Sequence, residues 1–310
     1  MTLIISSLLR RQRDVLHRPG FAALSRHCHP DNRRKRLKMW LRCQLWSATS
    51  RSWFEFLQGH PVWAELSNRS PRLLEKLHRP LLRRGWGMRR RLQVLRGHYQ
   101  LTGRLFHLRT LQAIYLQPGL LLASFDSGQG EYELWLAGAG RNEKEGELGL
   151  YWRDRSDGLC LAQLSFSLLE AQGGCCLYLG GLQGPAGEAA RERVRLAGKH
   201  CHGLRPKRAV LEGLFALAAH IGATEIRAVS NRYHVCRSWR VRRVVQCDYD
   251  AFWQELGATL HPDGDFLLPL QPLCRSADEV ATRKRAEHRR RQALLDHLHS
   301  QTIRLLQSNA

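Results

Sequence analysis

The sequence contains no long apolar run. No stretch of about 18 or more apolar residues occurs in the 310 residues, so we expect no transmembrane helix. The N-terminus has only the short run Leu3–Ile5. Basic residues follow this run, whereas a secretory signal has its basic region first. These absences indicate an unexported protein with a cytoplasmic location, peripheral at the inner membrane in one interpretation.

The motifs of several well-known site classes are also missing. The nine cysteines include no Cys-x-x-Cys pair, which argues against zinc ribbons and thioredoxin-like sites and favours reduced thiols that act as small hydrophobes. No Walker A, Gly-x-Ser-x-Gly or His-Glu-x-x-His motif occurs. The adjacent residues His27, Cys28 and His29 cannot easily all face one ion, so we expect no metal site.

Acidic residues are scarce at both ends of the chain. Residues 1–104 carry 23 Lys and Arg against 5 Asp and Glu, and residues 275–310 carry 8 against 4. Residues 105–274 carry 18 of each sign, so the net charge of +22 comes from the two ends. Such a charge distribution attracts anions. The expected partner is therefore an inner-leaflet phospholipid or an acidic protein, and a nucleic acid ranks last because its usual motifs are absent.

Three regions are predicted along the chain. Residues 1–95 form a basic helical N-terminal subdomain, residues 96–275 an α/β core domain, and residues 276–310 a basic C-terminal helix. The C-terminal helix is predicted to begin at Ser276, with Glu279 completing a capping box.

The most regular helical pattern lies in the first region, from Arg33 to Leu57. Its apolar stripe, at helical spacing, consists of Leu37, Trp40, Leu41, Leu45 and Ala48. Arg and Lys residues occupy the positions between them. The stripe fits either a helix that packs against a core or an amphipathic helix at a membrane interface.

The middle region alternates short apolar runs with turn residues. Strands are predicted over 120–125, 132–137, 149–153, 159–168, 175–179, 225–230 and 264–270, and helices over 188–202, 206–222 and 249–256. The fold class is therefore α/β (α+β), with a mixed, largely antiparallel sheet.

Five separated segments resemble the VirK/YbjX family of bacterial proteins, whose domain has no assigned function. They are Leu177–Gly184, Gly203–Lys207, Ala228–His234, Tyr249–Trp253 and Lys284–Arg291, in the same order. The resemblance covers roughly residues 55–300. It implies a virulence-associated protein that contributes to envelope integrity and to tolerance of cationic antimicrobial peptides, and it implies no particular reaction.

A glycine-rich segment follows the predicted strand 175–179. Gly180, Gly181, Gln183 and Gly184 precede a predicted helix, where free N–H groups and the helix dipole favour an anion. The alternative is a simple tight turn. The order of elements resembles the Gcn5-related N-acetyltransferases, in which a Gln/Arg-x-x-Gly-x-Gly/Ala loop binds the pyrophosphate of coenzyme A. Here Gln183-Gly184 is followed by Pro-Ala-Gly, which departs from that motif.

Two further segments carry candidate site residues. Arg205 and Lys207 flank Pro206 at a predicted helix start, where a phosphate or carboxylate could dock or where the basic side chains are merely solvated. His234 and Asn231 follow a predicted strand, where His234 could act as a general base and Asn231 could bind a substrate. The alternative is a polar loop with a structural histidine.

Two functions are the leading hypotheses. One is an envelope-stress factor that docks on an anionic partner at the cytoplasmic side through its basic first third. The other is an acyltransferase-like enzyme whose acyl donor is acyl-coenzyme A or an acyl carrier protein thioester. Both fit the basic charge, and the glycine-rich segment favours the second.

Overall fold

The computed structural model describes residues 20–236, 248–272 and 281–309. The chain divides into two compact units. The first runs to Pro80 and includes Trp86–Arg96, and the second comprises Leu81–Gly85 and the chain from Gly97 onward.

Eleven α-helices and eight β-strands form in the described residues. The helices are α1 Phe21–Cys28, α2 Arg33–Leu45, α3 Ser47–Gln58, α4 Pro61–Arg69, α5 Arg72–Lys76, α6 Met88–Leu105, α7 Leu108–Leu116, α8 Glu188–His200, α9 Pro206–His220, α10 Tyr249–Glu255 and α11 Arg285–Ser308. The strands are β1 Leu120–Asp126, β2 Glu131–Gly138, β3 Leu148–Asp154, β4 Cys160–Ala171, β5 Gly174–Gln183, β6 Ala223–Ala228, β7 Thr259–Leu260 and β8 Phe266–Leu268.

The strands form one sheet in the order β1-β2-β3-β4-β5-β6-β8-β7. Strands β5 and β6 pair in parallel, and the other neighbouring strands pair antiparallel. A parallel pair needs a long crossover connection, which α8 and α9 provide here. The predicted mixed, largely antiparallel sheet is confirmed.

Helix α9 forms the centre of the second unit because 11 of its 15 residues are buried. It packs against strands β3 and β4 and against helix α11. Helix α11 buries Leu294, Leu298, Thr302 and Leu306, which stand four residues apart on one face. This continuous apolar face explains why the basic C-terminal helix belongs to the second unit.

The segment predicted as one regular helix from Arg33 consists of two helices. Trp46 lies between α2 and α3 with non-helical backbone angles (φ −123°, ψ 45°). The predicted apolar stripe of α2 is not a core face, because Leu37, Leu41 and Leu45 are exposed while Met39 is buried.

Several predicted boundaries differ from the structure. Strand β5 continues through the glycines to Gln183, where a loop was expected. The short strand β7 and the helical character of residues 99–114 were missed. The predicted capping box at Ser276 lies outside the described residues. Within them, helix α11 begins at Arg285.

Across the described ranges, none of the helices has both the length and the apolar composition that crossing a membrane requires.

Candidate functional site

Strand β5 contains a β-bulge at Gly180. Ser165 of β4 pairs with Gly181 and the next residue, Phe166, pairs with Leu179, so Gly180 is an extra residue on its strand. Bulges bend a strand and redirect its side chains, and they are common beside functional sites.

Strand β6 ends opposite Leu179, the residue before this bulge. The parallel register of β5 and β6 ends where Leu179 pairs with Ala228, and the Val229 N–H donates to the Leu179 carbonyl (2.9 Å). Beyond this point the edge of β5 faces side chains instead of a strand. The Leu182 N–H donates to the Tyr249 hydroxyl oxygen (3.3 Å), and that hydroxyl lies 3.4 Å from the Leu182 carbonyl.

The β2–β3 loop lies directly on β4 and β5 beside the bulge, and glycines make this close approach possible. A Cβ at Gly180 would come 1.9 Å from the Glu145 carbonyl oxygen, and one at Gly181 would come 2.2 Å from the Glu145 carboxylate. A Cβ at Gly146 would come 2.5 Å from the Phe166 backbone. The space expected for a phosphate at Gly180 and Gly181 is therefore filled by Glu145.

Four side chains meet above this part of the strand. The Gln183 amide donates to both carboxylate oxygens of Glu145, at 2.7 and 2.8 Å. The Cys236 Sγ lies 3.4 Å from Glu145 Oε1, and His234 Nε2 lies 3.6 Å from the same oxygen. We call these residues, Glu145, Gln183, His234 and Cys236, the Glu145 cluster. Glu145 and His234 are each 1% exposed, whereas Gln183 and Cys236 are half-buried and form its solvent side.

Burial sets the protonation of the cluster. It raises the pKa of the Glu145 carboxyl to about 7, against the opposing hydrogen bonds from Cys236 and Gln183. Burial also lowers the pKa of His234 to about 4. Burial and the neighbouring Glu145 charge raise the pKa of the Cys236 thiol to about 12. Near neutral pH the histidine and the thiol are therefore uncharged, while Glu145 exchanges a proton readily.

Hydrogen bonding fixes the tautomer of His234. The Cys236 backbone N–H donates to His234 Nδ1 (3.2 Å), so Nδ1 has no proton and Nε2 carries it. Nε2 lies 3.6 Å from Glu145 Oε1, the Gly180 backbone interacts with the imidazole and opposes the effect of burial on its pKa, and the ring stacks on Tyr249. The Nε2–H is thus a buried donor aimed toward Glu145.

The same contacts determine whether Glu145, His234 and Cys236 can bind a metal ion together. Glu145, His234 and Cys236 place ligand atoms within 4.8 Å of one another. A metal on Nε2 needs that nitrogen without its proton, yet the bond from the Cys236 N–H to Nδ1 keeps the proton on Nε2. Gln183 also engages both oxygens of Glu145. The arrangement suits proton transfer better than metal ligation.

Asn231 anchors the loop after β6. Its Oδ1 accepts from the Tyr249 N–H (3.0 Å) and its Nδ2 donates to Asp248 Oδ1 (2.7 Å). Asp248 also caps α10 by accepting from the Ala251 N–H. Because both ends of its amide bind the start of α10, Asn231 positions Tyr249 beneath His234 in this structure.

The remaining candidate residues lie on other elements. Gly184 is exposed after β5, and the exposed Arg205 is the N-cap residue of α9. The Lys207 ammonium lies 5.7 Å from the Phe252 ring centroid on α10. The structure thus brings Gly180, Gly181, Gln183 and His234 together around Glu145, and places Arg205 and Lys207 at the start of a helix.

Sequence reasoning missed Glu145 and Cys236. The spacing of Leu177, Leu179 and Leu182, two residues and then three, indicates a bulge in a strand with one leucine-rich face. A glycine pair at such a bulge indicates that another segment approaches closely. No sequence signal identifies Glu145 as that segment, because it lies about 35 residues earlier.

Comparison with known proteins identifies the relatives of this chain. A profile of the family described as "Protein of unknown function (DUF535)" matches residues 29–304. The chain is 35% identical to "Uncharacterized protein YbjX" of Escherichia coli (strain K12) over 91% of its own length and 88% of that protein. The chain belongs to this family. The resemblance to VirK/YbjX proteins is thereby confirmed.

Two more distant relatives of this DUF535 protein have names that describe no biochemical activity. An "Uncharacterized protein" of Haemophilus influenzae is 31% identical over 44% of this chain and 46% of its own length. "Membrane protein LapB" of Mannheimia haemolytica is 27% identical over 64% of this chain and 84% of its own length. The DUF535 match includes Glu145, Gln183, His234 and Cys236, and the family has no described biochemistry.

Proposed function

We propose that this DUF535 protein is an acyltransferase-like enzyme in which Glu145 is the general base. The observation that carries the proposal is a carboxyl group with a pKa raised to about 7, buried beside the bulge of β5 at the point where its parallel pairing with β6 ends. A base whose pKa lies near the working pH is well suited to proton transfer.

The order of the elements supports this choice of reaction. Antiparallel strands lead to β5, two helices follow, and β6 returns parallel to β5. This order is similar to that of the Gcn5-related N-acetyltransferases. Fold likeness alone does not fix an activity, so the proposal depends on the Glu145 cluster.

The chemistry requires one proton acceptor and one hydrogen-bond donor. An amine or hydroxyl of the acceptor attacks the carbonyl carbon of an acyl thioester, and Glu145 takes the proton from the attacking atom. The C–S bond breaks, and the departing thiolate takes its proton from the newly protonated Glu145 and leaves as a thiol, which restores the Glu145 carboxylate. The Nε2–H of His234 donates to the carbonyl oxygen as negative charge develops on it. His234 thus serves as a hydrogen-bond donor, where the sequence suggested a base.

An anionic donor would bind beside this site. Gly184 and Gly187 are exposed, and Gly187, the N-cap of α8, has a positive φ of 94° with open space at its Cβ position. Arg205 and Lys207 supply positive charge at the start of α9. These residues fit a phosphate-bearing substrate such as acyl-coenzyme A or an acyl carrier protein thioester, whereas Gly180 and Gly181 do not.

The direct test measures thiol release. Purified full-length protein is mixed with acyl-coenzyme A or acyl carrier protein thioester at low salt, and the free thiol product is quantified by chromatography. We expect Glu145→Gln to lower kcat at least about 100-fold while binding of the thioester changes little. Cys160→Ser, at a half-buried thiol on β4, is the matched control and should keep full activity.

Two outcomes would overturn the proposal. One is the absence of thioester binding by calorimetry at low salt with folded protein. The other is turnover that Glu145→Gln leaves unchanged.

The cellular role belongs to the same proposal. An enzyme that acylates an envelope component from the cytoplasmic side would contribute to envelope integrity and to tolerance of cationic antimicrobial peptides. Fractionation at low and high salt tests the location, and recovery after osmotic shock would contradict it.

A further inference from the structure

Exposed leucines are concentrated on helix α2. Eight large apolar side chains in the described residues are exposed, and four of them belong to α2 and its C-cap. Leu37, Leu41, Leu45 and Trp46 are 57%, 46%, 77% and 47% exposed. We call these four residues the α2 leucine face.

This face is a continuous surface feature. Leu37, Leu41 and Leu45 stand four residues apart, so they lie in one row along the helix. The opposite side of α2 carries Met39 and Cys43, which are fully buried. The helix already has its packing face, and the leucine row points away from it.

Positive charge surrounds the row. Helix α2 has no acidic residue, and six of its 13 residues are basic: Arg33, Arg34, Lys35, Arg36, Lys38 and Arg42. Arg34 and Lys38 each precede a leucine of the row by three residues, which puts them on the same side of the helix. Their long aliphatic stems can lie along the leucines while their charges extend outward.

We propose that the α2 leucine face docks on an anionic phospholipid bilayer. Three leucines in a row on a helix of about 20 Å can enter the interfacial region together, while the basic side chains reach lipid phosphates. Trp46, at the C-terminal end of the row, is the residue type that favours the headgroup level. A purely acidic protein partner would bind the basic side chains, but it would not bury the three exposed leucines. This proposal goes beyond acyl transfer and does not depend on it.

Vesicle co-sedimentation of the full-length protein tests this proposal. Vesicles of phosphatidylcholine alone are compared with vesicles containing about 30% phosphatidylglycerol, at low and at high salt. We expect at least about tenfold tighter binding to the anionic vesicles, weakened by salt.

Matched leucine variants test the surface itself. The triple variant Leu37→Gln, Leu41→Gln, Leu45→Gln keeps the net charge and the helix propensity, and should bind anionic vesicles at least about tenfold more weakly. The double variant Leu108→Gln, Leu260→Gln removes exposed leucines elsewhere and should bind like the wild type. Circular dichroism and Tm establish that each variant is folded.

Three results would overturn the proposal. The first is equal binding of the triple variant and the wild type to anionic vesicles. The second is equal binding of the wild type to soluble polyglutamate and to anionic vesicles, since charge alone would then suffice. The third is a dimer in light scattering that the triple variant abolishes, which would assign the face to a second copy of the chain. Loss of thioester turnover in Glu145→Gln affects none of these measurements.

Discussion

At the scale of single residues, the environment of Glu145 determines what it can do. Its carboxyl is almost completely buried, and its hydrogen-bond donors among the described residues, the Gln183 amide and the Cys236 thiol, are uncharged. Desolvation therefore outweighs hydrogen bonding, and the pKa of Glu145 rises to about 7. The folded protein maintains a carboxyl group that is protonated at a pH where most carboxyls are ionised.

This shift predicts a pH dependence of stability. Between the ordinary pKa of 4.5 and the folded-state pKa of about 7, Glu145 is protonated in the folded state and ionised in the unfolded state. The free energy of unfolding should therefore fall as pH rises through this window, by at most about 1.4 kcal/mol per pH unit. The pKa of His234, lowered from 6.5 to about 4, acts in the opposite direction below pH 6.5.

A difference measurement isolates the Glu145 contribution. Urea unfolding of the wild type and of Glu145→Gln is compared at several pH values from about 5 to 8. His234 contributes to both proteins, so the variant should gain stability relative to the wild type as pH rises. A difference that stays constant over this range would contradict the raised pKa.

At the scale of elements, strand β5 contributes leucines to the hydrophobic core on one side and hydrogen-bonding side chains on the other. Leu177, Leu179 and Leu182 are buried, whereas Tyr178 and Gln183 form hydrogen bonds with Asp265 and Glu145. The bulge at Gly180 separates the two parts of the strand. It also brings the backbone of β5 against the backbone at Glu145, an approach that tolerates no side chain.

Alanine substitution at this glycine tests the close approach. A Cβ at Gly180 would come 1.9 Å from the Glu145 carbonyl oxygen, so one of the two backbones must move. We expect Gly180→Ala to lower the free energy of unfolding by about 3 kcal/mol, measured by urea denaturation. Gly97→Ala on α6 is the matched control, since its Cβ meets no atom within 4 Å, and it should stabilise by about 0.5–1 kcal/mol. Equal effects of the two substitutions would refute this account.

Much of the element order could be predicted from the sequence, and particular residues show why the rest could not. Turn residues such as Gly173 and Gly222 begin or end apolar runs, so most strands and both crossover helices were found. The glycines at 180 and 181 misled the prediction because local glycine content indicates a loop, whereas here it permits a distant segment to approach. The exposed leucine row of α2 has the same spacing as a buried row, so periodicity alone could not distinguish the two.

At the scale of the second unit, one ion pair joins segments far apart in sequence. The Arg83 Nε donates to Asp265 Oδ2 (2.7 Å), and the Tyr178 hydroxyl donates to the same oxygen (2.5 Å). The Arg83 guanidinium also lies 3.6 Å from the Tyr233 ring centroid. The short segment Leu81–Gly85 is thereby attached to the start of β8 and to the loop that contains His234 and Cys236.

Loss of this ion pair should be costly because Asp265 is buried. Arg83→Ala leaves the Asp265 carboxylate with the Tyr178 hydroxyl and the Ser230 N–H, both uncharged donors, and we expect it to lower the free energy of unfolding by about 3 kcal/mol. Arg155→Ala breaks an exposed pair with Glu131 and should cost about 1 kcal/mol or less. Urea unfolding measures both, and a cost for Arg83→Ala as small as that of the control would contradict the role of the ion pair.

The single extra residue at Gly180 also restricts how this protein can change in length over evolution. It puts Tyr178 and Gln183, five positions apart, on one side of the sheet, although successive residues of a regular strand point to opposite sides. Deleting the extra residue would leave the two side chains four positions apart in a regular strand and so still on one side, whereas inserting one more residue would turn Gln183 into the leucine layer and Leu182 toward Glu145. Relatives that keep the Glu145 cluster should therefore show no single-residue insertion between Tyr178 and Gln183, and a relative with one residue fewer there should have a regular strand without the bulge.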